Sequence, residues 1–241
     1  MSITISPRRA GRILILIVLL LTFLSLAGYL ARYVLGPRVP RTLVSIFDVD
    51  VEGSIPNWYA SFTLLVSAAL LGAIARATKT ANGRFIRHWQ GLSVIFLVLS
   101  IEEVAAVHER TSTPLQSLLH PGGFFYFAWV IPGSIIVLAL LLAYLRFLIH
   151  LPRPTKWLFL IAGTLFVGGA IGLEMIGGRY AQLYGFRNPT YGLIVNLEEF
   201  LEMVGIAVFI YALLAYMRSF VKEVRIRIDE DGSPPRLSGT V

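Results

Sequence analysis

Residues 13–36 read ILILIVLLLTFLSLAGYLARYVLG, with Arg32 as the only charge. A helix rises about 1.5 Å per residue, so about 20 apolar residues cross the hydrocarbon of a bilayer. This stretch meets that length. Arg8, Arg9 and Arg12 precede it, as basic residues precede a secretory signal. The apolar run, however, continues past Leu26 to Val34, beyond the roughly 7–15 residues of a signal core, and no clear small-residue cleavage site follows. It reads as a membrane anchor.

Working outward, five further runs meet or approach spanning length: 57–76, 88–108, 123–148, 156–177 and 192–217. The expected fold is all-α, a polytopic integral membrane bundle of about six transmembrane helices. Residues 1–220 form the transmembrane domain and 221–241 a short cytoplasmic tail. Composition agrees: 56% of residues are hydrophobic and 15% charged, too few charges to cover a water-facing surface. There is no cysteine, which excludes disulfides, zinc–thiolate sites and thiol nucleophiles.

The net charge of +7 does not point to nucleic acid, because the basic residues fall between the apolar runs. One alternate set of connecting segments holds 15 of the 21 basic residues, among them Arg76, Lys79, Arg84, Arg87, Arg146, Arg153, Lys156 and Arg218. The positive-inside rule then places both termini in the cytoplasm of a multi-pass cell-membrane protein. Residues 37–56 and the loops 109–122 and 178–191 fall outside. The aromatics Phe124 to Trp129 suit the outer interfacial belt facing lipid, or a wall for a hydrophobic substrate.

Seven of the 14 acidic residues lie in the outer halves of the third, fifth and sixth runs or at their outer ends: Glu102, Glu103, Glu109, Glu174, Glu198, Glu199 and Glu202. An ionisable group inside a membrane segment costs roughly 2.5–3.5 kcal/mol on insertion scales and normally faces the bundle interior. At about 100° per residue, Glu198, Glu199 and Glu202 share one helix face. Gly168 and Gly172 form a small-xxx-small pair that permits close helix approach just before Glu174. Arg110 and Arg179 are the expected charge-balancing partners, but they leave a deficit for protons or a metal to fill.

Oxygen ligands with one imidazole suit a divalent metal ion: iron, manganese, zinc or calcium. The expected metal site comprises Glu103, Glu199 and Glu202, completed or oriented by Glu102, Glu109, Glu174, Glu198 and His108. On a continuous helix His108 points about 140° away from Glu103, so it joins only if the helix breaks there. No Glu-x-x-His occurs, unlike carboxylate-bridged di-iron bundles.

Three functions fit this pattern. One is a membrane-embedded, metal-dependent enzyme acting on a lipid-like substrate; the second is a cation- or proton-coupled transporter. The third is a non-catalytic subunit whose salt-bridged network holds a membrane-protein partner. No nucleotide-binding glycine loop, Gly-x-Ser-x-Gly or His-Glu-x-x-His appears, and no catalytic residue is assigned. The first two runs carry almost no internal polar groups and are expected at the periphery.

Overall fold

Prolines open four of the long helices, where the missing N–H would have had no partner anyway. Pro7 starts α1 (Pro7–Leu35) and Pro56 lies in the first turn of α3 (Ile55–Thr80). Pro154 lies in the first turn of α7 (Arg153–Val167), and Pro189 starts α9 (Pro189–Phe220). Two caps sharpen these starts. The Ser54 hydroxyl accepts the Asn57 N–H at 3.3 Å, and the Asn188 side-chain oxygen accepts the Tyr191 N–H at 3.0 Å.

The computed structural model describes residues 6–220, and the tail expected at 221–241 lies outside them. The described residues are helical, with no strand. The remaining elements are α2 (Arg41–Ser45), α4 (Ile86–Ala105), α5 (Val107–Leu119), α6 (Val130–His150) and α8 (Glu174–Tyr184). A π-helical turn, Gly168–Leu173, joins α7 to α8.

Five stretches are each long and apolar enough to cross a membrane: Pro7–Leu35, Ile55–Thr80, Val130–His150, Arg153–Tyr184 and Pro189–Ser219. The pair α4 and α5 reaches that standard only together, and it is bent by 74°. Several helices overrun the apolar runs that announce them. Backbone hydrogen bonding continues into polar turns, whereas an apolar count stops at the first charges.

The third run departs most from expectation. Its helix stops at Ala105, not 108, because Ala106 is left-handed (φ 47°, ψ 46°). Residues 109–119, expected as loop, belong to α5, a helix with no buried residue. Its polar composition hid it from an apolar count. Pro132, in the fourth run, lies in the first turn of α6.

The described residues begin and end at one end of the bundle, where Gly11 of α1 lies against Tyr211 of α9. At that end Leu71, Trp89, Phe147, Phe159, Phe209 and Leu213 pack into a single apolar core drawn from α3, α4, α6, α7 and α9. The second run is not peripheral. α3 runs antiparallel to α4 through polar contacts that an apolar count overlooks. The Ser93 hydroxyl donates to Ala68 O (2.8 Å), and Ser61 and Ser100 donate to each other's carbonyls (2.8 and 2.9 Å). α1 packs along α9, with the Tyr29 hydroxyl donating to Asn188 O at 2.7 Å.

α7 and α9 approach through Gly169 and Gly205, not through Gly168 and Gly172, around which space is open. A Cβ on Gly169 would lie 2.8 Å from Glu198 O, and one on Gly205 would lie 2.9 Å from Ala162 O. The π turn explains the exchange: its extra residue per turn rotates the faces expected from α-helical geometry.

Candidate functional site

At the end opposite the aromatic core the helices part around a cavity of about 1000 Å³. α6 is anchored at the core end by Phe147 and Leu148, while its first turns, through Pro132, Ile136 and Val137, border the cavity. Glu102 and Glu103 reach it from α4, Glu109 from α5, Glu174 from α8, and Glu198, Glu199 and Glu202 from α9. His108 lines it as well. Arg110 and Arg179 are not among the lining residues.

Each wall carboxylate on α4 and α8 has its own polar partner. The break at Ala106 turns α5 back, so that His108 Nδ1 stands 2.6 Å from Glu102 Oε1 and the His108 backbone N–H donates to the same oxygen at 3.0 Å. This helix break is the condition under which His108 could join the glutamates. A left-handed alanine costs roughly 1–3 kcal/mol, which this contact and the buried Ala106 side chain help to offset. The Asn57 side-chain amide donates to Glu103 O (2.9 Å) and Oε1 (3.3 Å). Trp129 Nε1 donates to Glu174 Oε1 at 2.8 Å, and the Trp129 ring lies 4.8 Å from that of His108.

α9 supplies the deepest acids. Gly169 leaves room for the Glu202 side chain and the Glu198 backbone. Glu198 is buried beside Glu174. Glu199 and Glu202 are half-buried and line the cavity. Neither makes a hydrogen bond or ion pair among the described residues. His108–Glu102 is the one ion pair among those residues, so the balancing expected from Arg110 and Arg179 does not occur by direct contact. The Arg179 guanidinium instead sits by the backbone of Gly123.

The acids share a chamber without being drawn to a point. Among the described residues no group of three or more histidine, aspartate or glutamate side chains is gathered so as to hold a metal ion. The metal centre expected around Glu103, Glu199 and Glu202 is therefore not assembled. The carboxylates stand on separate walls with separate hydrogen-bond partners, except that Glu198 of α9 lies against Glu174 of α8.

A family model described as Domain of unknown function (DUF8692) matches residues 12–217. The chain belongs to that family. No curated protein matches the chain, and no solved structure does. The matched stretch contains every residue that lines the cavity.

The structure also brings in residues that the sequence left aside. Asp50 and Glu52, in the segment 37–56 expected outside the membrane, line the chamber from the connection between α2 and α3. Asp50 lines the chamber while remaining an exposed residue, with protein crowded about its carboxyl. Burial first, then the charges of Asp48, Glu109 and Glu174, push it up to about 7. Glu52 is also raised, by burial and then by Glu109. Of the aromatics expected either at the lipid belt or as a wall, Tyr126, Phe127 and Trp129 line the chamber with Phe186 and Tyr191, while Phe124 and Phe125 are exposed. Nothing in the local sequence separates these two sets.

Proposed function

We propose that this chain is a multi-pass cell-membrane protein with six crossings and cytoplasmic termini, and that it binds a cation in a chamber open to the outer side. One observation carries the reading. Nine carboxylates (Asp50, Glu52, Glu102, Glu103, Glu109, Glu174, Glu198, Glu199 and Glu202) line one cavity in which a single imidazole is the only basic side chain. In a low-dielectric setting such a surplus calls for protons or a bound cation. The distribution of basic residues supports the orientation, because the acidic chamber and the basic segments lie toward opposite ends of the bundle.

Binding is favoured over conduction by the apolar core below the chamber. Trp89, Phe147, Phe159, Phe209 and Leu213 offer a cation no polar route onward. Divalent metals are the first cations to test, since the walls present oxygen ligands and one imidazole. A metal would have to draw carboxylates inward from separate walls, and a metal-dependent reaction on a lipid-like substrate would follow only from such closure.

Equilibrium dialysis of the purified protein against Mn²⁺, Fe²⁺, Zn²⁺, Ca²⁺ and tetramethylammonium tests the reading. At least one should bind with defined stoichiometry, and the double variant Glu199→Gln/Glu202→Gln should weaken it by about tenfold or more, equivalent to about 1.4 kcal/mol. Wild-type protein that binds none of them between pH 6 and 8 would remove the basis for a cation chamber.

A further inference from the structure

The chamber has two chemically different sides. The acids face it from α4, α5, α8, α9 and the Asp50 connection and the aromatic rings mainly from the α5–α6 and α8–α9 connections, whereas α6 and α7 present Pro132, Ile136, Val137, Phe166 and Val167. Water alone would leave that second wall wetted and unpaired. Ile136 is both a lining residue and 58% exposed. It stands almost two turns into α6, a helix that belongs to the apolar belt. The cavity therefore opens sideways as well as outward, beside Ile136.

Glu199 and Glu202 take the matter beyond an acidic lining. Both are half-buried, both lack a hydrogen-bond or ion-pair partner, and both line the cavity. Two carboxyls that line the cavity without any protein partner leave a place for a cationic one. Above them Tyr126, Phe127, Phe186 and Tyr191 form a connected ring system, with Phe186 and Tyr191 centroids 5.3 Å apart at 89°. Aromatic faces attract cations, methylated ammonium groups above all.

We infer that the ligand is an amphiphile. Its ammonium or quaternary ammonium head sits among Glu199, Glu202, Glu198 and the aromatic wall, and its apolar chain lies along α6 and α7 and leaves beside Ile136 into the hydrocarbon. The inference rests on the cation-chamber reading and narrows its cargo to a membrane-dissolved organic cation. The chain reaches the chamber from the bilayer, so the ligand need not pass through water.

A dodecyltrimethylammonium analogue with a diazirine in mid-chain provides the test, with the full-length protein in phosphatidylcholine vesicles. After photolysis and peptide mass spectrometry, labels should fall on Ile136, Val137, Val167 or Ile171. Excess dodecyltrimethylammonium should suppress them and dodecyl sulfate should not. Glu199→Gln/Glu202→Gln should reduce them by about tenfold, about 1.4 kcal/mol of binding free energy. Ile136→Trp, which fills the side opening, should reduce labelling of Val167 and Ile171. Labels confined to exposed α6 residues such as Leu138 and Leu142, unchanged by the double variant, would overturn the inference. If that result comes with normal dialysis binding of Mn²⁺ or tetramethylammonium, the cation chamber stands and only the amphiphile falls. If neither probe binds, both fall.

Discussion

At the scale of single residues, the chamber is built from side chains whose partners come from distant parts of the chain. Glu103 meets Asn57, Glu174 meets Trp129, and Glu102 meets His108 only because Ala106 breaks the helix between them. Asp50 lies outside the spans and gives the site a handle on pH. Its carboxyl, held up to about 7, is neutral in mildly acidic solution and ionised above neutrality. Cation affinity should therefore rise as pH increases through about 7. Titrations at pH 5.5 to 8.5 should show this rise flattened in Asp50→Asn. The sign for stability is opposite. A carboxyl raised in the folded state binds its proton more tightly there than when unfolded. Its contribution is thus fully present below its ordinary value near 4 and is lost as pH rises through about 7. Asp50→Asn should make thermal stability less dependent on pH in that window.

At the scale of elements, the close crossing of α7 and α9 holds the two deepest glutamates in place. Gly169 is the contact, and a methyl group there would meet both the Glu202 side chain, at 2.7 Å, and the immovable Glu198 carbonyl, at 2.8 Å. Gly169→Ala should destabilise the protein by about 1–3 kcal/mol, the usual range for overpacking. It should also weaken cation binding, because α9 must shift. Gly168→Ala, one residue away with open space around it, should leave binding unchanged. Melting temperatures in detergent and dialysis on the same samples would check the pair. Equal effects at the two positions would mean that loss of glycine flexibility, not the crossing, is responsible.

At the scale of the molecule, one end is sealed by aromatic packing and carries the basic segments, and the other is parted and acidic. The proposed orientation makes the acidic end external. The absence of cysteine allows a direct check, since single cysteines need no cysteine-free background. Ser117→Cys on α5 should react with a membrane-impermeant maleimide in intact cells, whereas Thr80→Cys at the end of α3 should react only after lysis. The reverse pattern would invert the topology and turn the chamber toward the cytosol.

The sequence by itself determined the helical class, the approximate number and place of the apolar spans, and the confinement of seven glutamates to three of them. Those properties follow from composition and run length, which act locally along a chain in lipid. It also stated the condition for His108, a break in the helix, without being able to place that break. Only the tertiary structure decided that Asp50, Glu52, Asn57 and Trp129 belong with those glutamates, that Gly169 and not Gly168 makes the crossing, and that the acids line a chamber without gathering at a point. The reason is rotational. One left-handed residue at Ala106 and one π turn at Gly168–Leu173 each redirect everything beyond them, and such deviations are set by the packing of neighbouring helices, not by the residues that undergo them.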